Sequence, residues 1–280
     1  MKIKHLLCFI ALCLFFTPGK AQQLSVMTLR NGATVYIWED KSKPDVFGMI
    51  AFKVGSVDDP EQYTGLAHYL EHVMFKGTQT IDALDWEKEK PIYEKIIAKY
   101  DERAALSDPA AREAVDKEIN DLTREAAQYA AGNEFSLLVD HMGGQGLNAS
   151  TGYDQTEYHN SFPPSQLEKW LEIYSERLID PVFRGFQTEL EAVYEEYNMY
   201  NDDRGSRMRE FIYEQAFGDH PYARPIIGLP EHLKNPQLSK LIDFYNTWYG
   251  PQNMSIILVG NIDAKEAIPM IRDKFERVPR

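Results

Sequence analysis

Cysteine is almost missing from this 280-residue chain: Cys8 and Cys13 are the only two, and both lie near the N-terminus. No disulfide framework can therefore staple the remainder, whose core must hold by packing. Basic charge is also short, with 30 Lys and Arg against 43 Asp and Glu and a formal net charge of −13. That balance argues against a nucleic-acid binder, which carries a basic face. Long apolar runs are lacking too. Leu6 to Phe16 is an apolar stretch of 11 residues, too short to anchor in a bilayer. Gly143-Gly144-Gln145-Gly146 lacks the spacing of a phosphate-binding loop and has no Lys-Ser/Thr after it, which argues against nucleotide binding. No internal repeat or low-complexity tract is present. What remains is ordinary for a globular protein, 44% hydrophobic and 26% charged, and long enough for one large domain or two small ones.

The first segment reads as a secretory signal peptide over residues 1–21. Lys2 and Lys4 make a positive start, the apolar run follows, and Pro18, Gly19 and Ala21 form the small-residue end, with cleavage expected after Ala21. A buried N-terminal helix fits this pattern less well. On the export reading, the mature domain, residues 22–280, has no cysteine and nothing in it resembles a membrane anchor.

Along the mature part, Leu24–Thr28 and Thr34–Trp38 predict a hairpin around Asn31-Gly32. Val46–Val54 reads as a third strand and Leu66–Phe75 as a helix. Residues 85–131 are rich in Glu, Lys, Ala and Arg, with two apolar stripes broken by Ser107-Asp108-Pro109. They predict an inserted helical hairpin, read more readily as a solvated insertion than as a partner arm. Two short strands, Asn148–Thr151 and Gln155–Ser161, come next. Helices are expected at 165–179, 187–201, 204–217, 239–249 and 264–276, with a strand at Met254–Val259. Hairpins mixed with helical runs give an α+β fold, a mainly antiparallel sheet packed with helices.

The chemistry-bearing motif is His68-Tyr69-Leu70-Glu71-His72. Residues four apart on a helix stack on one face, so the two imidazoles converge on one point. Neutral imidazole is a zinc ligand, and Glu71 borders the same point as a general base. This is the inverted H-x-x-E-H form of a metallopeptidase helix. A catalytic zinc needs a third protein ligand. His141, His159, His220 and His232 are scattered, and each alone reads better as a packing or surface residue. The helix Glu189 to Glu196 is the better source, because its two end carboxylates lie two turns apart and share a face. From spacing alone, however, that stretch reads as a solvated acidic face.

The chain resembles the pitrilysin and insulin-degrading family of zinc peptidases, which includes the mitochondrial processing peptidases. The likeness runs through Val54-Gly55-Ser56 to Pro60, Gly65-Leu66-Ala67-His68-Tyr69-Leu70-Glu71-His72-Val73-Met74-Phe75-Lys76-Gly77-Thr78, and Asn148-Ala149-Ser150-Thr151. It continues at Pro181-Val182-Phe183, Glu189 to Glu196, His220-Pro221-Tyr222, Tyr249-Gly250-Pro251 and Val259-Gly260-Asn261. Carried over, it implies a zinc-dependent endopeptidase with His68 and His72 as ligands and Glu71 as base. It implies Glu196 as third ligand, with Glu195 its nearest rival, and Glu189 as a carboxylate behind a histidine. One zinc per chain is implied as cofactor. Asn148, Ala149, Ser150 and Thr151 would form the edge strand that pairs with a peptide substrate. The stretch from His72 to Glu196 is longer than the family's, and the 85–131 insertion accounts for it. The family encloses substrate between two homologous halves, so a second half is the expected partner. A non-catalytic, substrate-presenting partner is the alternative reading, disfavoured because the zinc set is complete. Bacterial members of the family make the periplasm the expected compartment.

Overall fold

The computed structural model describes residues 23–280, so the expected signal peptide lies outside the described residues. Six strands form one sheet: β1 (Gln23–Thr28), β2 (Thr34–Glu39), β3 (Val46–Phe52), β4 (Gln145–Thr151), β5 (Thr156–Phe162) and β6 (Met254–Gly260). Their order across the sheet is β1-β2-β6-β3-β5-β4. Every neighbouring pair is antiparallel except β2 and β6, which run parallel in the register Val35↔Ile256 and Ile37↔Leu258. The fold is α+β, as the sequence implies.

The alternation in the strands sets the core. Val35, Ile37, Ile50, Phe52, Tyr158, Phe162, Ile256 and Leu258 share the buried face. Tyr36, Trp38 and Val259 lie on the opposite, exposed face, with Leu24 and Val26 exposed on β1 beside them. Gly48 sits on the buried face of β3, where an added Cβ would lie 2.5 Å from Trp170. The missing side chain lets the indole reach the sheet. Trp170 and Tyr174 both donate to Asn160 Oδ1, at 2.8 and 2.7 Å, so their polar tips are satisfied inside the core.

Ten α-helices are found among the described residues: α1 (Leu66–Val73), α2 (Trp86–Ala105), α3 (Pro109–Ala126), α4 (Glu134–His141), α5 (Leu167–Glu176), α6 (Phe186–Asp202), α7 (Arg204–Phe217), α8 (Pro230–Leu233), α9 (Leu238–Trp248) and α10 (Ala264–Phe275). The turn between β1 and β2 is wider than a two-residue hairpin. Leu29 N–H reaches Ala33 O at 2.8 Å, and the Asn31 side chain leaves the turn to donate to Phe275 O at 2.8 Å. The hairpin is thereby tied to the end of α10.

Helices α2 and α3 make the hairpin, each opened by a capping aspartate, Asp85 on Lys88 N–H and Asp108 on Ala111 N–H. The hairpin lies against the body rather than standing in solvent. Ile92, Ile96, Tyr100, Val115 and Ile119 are buried. Tyr100 packs edge-on against Phe186 with ring centroids 4.7 Å apart, and Glu89, 1% exposed, is paired with Arg184. Short α4, which buries Phe135 and Val139, was not expected from the sequence.

Candidate active site

Helix α1 is only eight residues long, and its ends are fixed from outside. Gly65 opens it in a left-handed conformation at φ 89°. The buried Asp59 carboxylate accepts from Gly65 N–H at 2.7 Å and Ala67 N–H at 2.9 Å, satisfying two donors of the first turn. Burial pushes the Asp59 carboxyl up to about 7, against the pull of those hydrogen bonds. A Cβ on Gly65 would lie 2.5 Å from Ile227 O, and one on Gly228, at φ 93°, would lie 2.5 Å from Thr64 O. Two backbones cross here at a distance only glycine allows. At the other end Arg177, 2% exposed, donates through Nη2 to Met74 O at 3.0 Å. Its guanidinium carbon sits 4.4 Å from the ring centroids of both Phe135 and Tyr158.

With Ala67, Leu70 and Val73 buried, α1 turns His68, Glu71 and His72 into a cleft of about 610 Å³. The opposite wall is α6, whose Glu196 reaches the histidines. His68 Nε2 lies 3.6 Å and His72 Nε2 3.5 Å from the same oxygen, Glu196 Oε2. One donor atom from each of the three residues falls within 4.8 Å of the others. A tetrahedral zinc with bonds of about 2.0–2.1 Å has ligand-to-ligand edges of about 3.3–3.4 Å, which the two histidine-to-Glu196 distances already approach. His68 Nδ1 is buried without a hydrogen-bond partner among the described residues. His72 Nδ1 faces Glu189 Oε2 at 3.4 Å, and Lys76 Nζ holds the other Glu189 oxygen at 2.5 Å.

The charges follow from these contacts. Burial, then the neighbouring His72, pulls His68 down to about 4. Burial also opposes charge on His72, but hydrogen bonds to Glu189 and Glu196 outweigh it and raise that imidazole to about 9. Burial pushes Glu71 above the usual carboxylate range, partly offset by the Thr151 hydroxyl, which donates to Glu71 Oε2 at 2.7 Å. Burial would raise Glu189 as well, but His72 and Lys76 hold it below its ordinary value.

His68, Glu71, His72 and Glu196 come together on one cleft, and Glu189 lies behind His72. Asn148, Ala149, Ser150 and Thr151 line it from β4, an edge strand whose outer side pairs with no other strand among the described residues. Glu195 points elsewhere, into a separate cavity between α6 and α3 with Arg103 and Asp116. The four scattered histidines stay outside the donor cluster; His232, for one, takes the Thr64 hydroxyl on Nδ1 at 2.8 Å.

Two features escaped the sequence reading. Lys76 stood in the quoted motif without a role. Helix α7 forms a second wall through Ser206, Arg209 and Tyr213, whose three- and four-residue spacing put them on one face. Tyr213 stacks on Tyr153 with centroids 5.3 Å apart.

A sheet with an inverted H-x-x-E-H helix, and a carboxylate brought to it from a second helix, defines the zinc-metallopeptidase class. The chain belongs to the insulinase family, peptidase family M16, whose model matches residues 34–90 and 120–229. A second model, the M16 inactive domain, matches residues 237–280. The stretch 91–119, inside the helical hairpin, falls outside the family match. Among curated relatives, the probable zinc protease PqqL of Escherichia coli is 25% identical over 270 residues, covering 92% of this chain and 23% of PqqL. The zinc protease PqqE of Helicobacter pylori is 24% identical over 254 residues, 89% of this chain and 46% of that protein. The chain thus spans less than half the length of these relatives. The crystal structure of the first half of periplasmic PqqL superposes with a TM-score of 0.68 at 25% identity, over 92% of this chain and 47% of that one. Pitrilysin shares the fold, with a TM-score of 0.68 at 23% identity over 94% of this chain and 24% of that one. Among the described residues no helix is long and apolar enough to cross a membrane.

Proposed function

We propose that this chain carries the catalytic unit, residues 22–280, of a zinc-dependent endopeptidase that hydrolyses peptides or small unfolded proteins. The observation that carries the reading is the convergence of two imidazole Nε2 atoms on one Glu196 oxygen at 3.5 and 3.6 Å. His68, His72 and Glu196 would hold one zinc. When bound there, zinc supplies the Lewis acidity that lowers the pKa of water and polarises the scissile carbonyl.

The chain's own residues do the rest. Glu71, raised by burial, takes a proton from the attacking water and returns it to the leaving amine nitrogen. Glu189 holds His72 through Nδ1, which fixes the tautomer that leaves Nε2 free for the ion. The free edge of β4, residues Asn148 to Thr151, offers backbone groups to an extended peptide, and its side chains lie in the same cleft as Glu71. Tyr153, Tyr213 and Arg209 shape the far wall. A second homologous half, in the same protein or a partner subunit, would complete the enclosure; the PqqL and pitrilysin chains are about four times the length matched here. Export to the periplasm is part of the reading, supported by the leader pattern and by the periplasmic location of PqqL.

The test is cleavage of a quenched fluorescent peptide by the purified protein, with metal content measured on the same sample. Cleavage together with one zinc per chain supports the reading. A protein that binds no zinc after loading overturns it.

A further inference from the structure

Glu189 has both oxygens committed. One faces His72 Nδ1 at 3.4 Å and the other takes Lys76 Nζ at 2.5 Å. Lys76 follows α1 in a tight turn, where its own N–H donates to Val73 O at 3.1 Å. Its carbonyl accepts Arg184 Nη1 at 3.2 Å. Arg184 is clamped in turn on Glu89, with Nε to Oε1 at 2.6 Å and Nη2 to Oε2 at 2.8 Å. The path runs from the first helix of the inserted hairpin to the histidine without a gap.

An exposed Lys–Glu pair contributes little, about 0–1 kcal/mol, and needs no functional account. This pair differs in two respects. The Glu189 side chain is only 16% exposed, and its carboxylate is shared with an imidazole. A carboxylate held on one side only can turn about its last torsion, which is broad and roughly two-fold. Held on both sides it cannot turn without breaking an ion pair.

We infer that Lys76 is a positioning residue of the metal site, locking Glu189 in the orientation that keeps His72 Nε2 turned to the ion, with the Glu89–Arg184 pair fixing the turn that carries Lys76. This rests on the zinc reading above. Lys76 acts through Glu189 and touches neither metal nor substrate.

The experiment measures zinc affinity by competition with a chromogenic chelator, together with the melting temperature of the metal-free protein. The variants are Lys76→Met, Lys76→Arg, Glu89→Gln, Glu189→Gln and the Lys76→Met/Glu189→Gln double. Lys76→Met should lose about tenfold or more in zinc affinity, the scale of residues that orient ligands, with the metal-free melting temperature unchanged. Lys76→Arg, which keeps the cation, should bind close to wild type. The double variant should be no weaker than Glu189→Gln alone, because both changes remove one device. Glu89→Gln should shift affinity in the same direction as Lys76→Met. Wild-type affinity in Lys76→Met, equal weakness in Lys76→Arg, additive losses in the double, or an equal fall in melting temperature would each overturn the inference. A wild type that holds zinc alongside an unaffected Lys76→Met sinks this inference alone. A wild type without zinc sinks the metal site itself.

Discussion

Glu71 is pulled two ways, upward by burial and downward by the Thr151 hydroxyl. Its replacement isolates the proton transfer. Glu71→Gln should bind zinc as wild type does and lose about 10²–10⁴-fold in peptide cleavage, the usual weight of a general base. Metal analysis and initial rates on one sample check both halves. Glu196→Ala should lose zinc on desalting while Glu195→Ala keeps it, since Glu195 faces the cavity toward α3. Zinc content after desalting of the two variants decides between them. The metal-free protein should also show a signed pH dependence. His72 is raised to about 9, so its favourable interactions are fully present below the unfolded value near 6.5 and are lost as pH rises through 9. His68, lowered to about 4, has already lost its proton above 6.5 in both states and adds nothing in that window. Melting temperatures between pH 7 and 10 should therefore fall from this contribution, and His72→Gln should flatten the slope. The motif residues were legible in the sequence because one helix places them. Lys76 and Arg177 were not, because their partners Glu189 and Met74 lie about a hundred residues away along the chain.

At the scale of elements, α1 is held by contacts it does not itself encode. Asp59 caps it from the preceding loop, and the loop at Gly228 crosses Gly65 just before its first turn. Gly228→Ala would bring a Cβ within 2.5 Å of Thr64 O in a left-handed conformation. It should cost more than ~1 kcal/mol, read as a lower melting temperature and weaker zinc binding. Strands and long helices were legible from apolar runs and stripes, from the Asn31-Gly32 turn and from Pro109 at a helix start. Helix α4 was not: it is only eight residues long, and Asn133 enters it left-handed without a side-chain cap. The hairpin's polar composition suggested a solvated insertion, yet a single stripe of Ile92, Ile96 and Tyr100 is enough to seat it on the body. Its bearing on α6 came from Tyr100 against Phe186, a contact no local pattern announces.

For the whole molecule, metal and fold are coupled. The proposed ligands come from α1 and α6, on either side of the hairpin, so an ion joining them binds only the folded chain. Zinc at about a hundred times its dissociation constant should add about 2.7 kcal/mol. In a domain of this size that raises the melting temperature by about 5–10 °C. Chelation should remove the increment, and zinc should restore it, in the same calorimetric cell. The order of strands has a different consequence, one of timing. Strand β6, residues 254–260, fills the slot between β2 and β3, and pairs with both along its length. During synthesis that slot stays open until residues 254–260 have been made, more than two hundred residues after β3. The N-terminal hairpin and the β3–β5–β4 ladder wait as two fragments with unpaired edges facing each other. A sheet that closes only when residues 254–260 arrive cannot be completed on the ribosome before that stretch has emerged, and until then its two parts stay threadable.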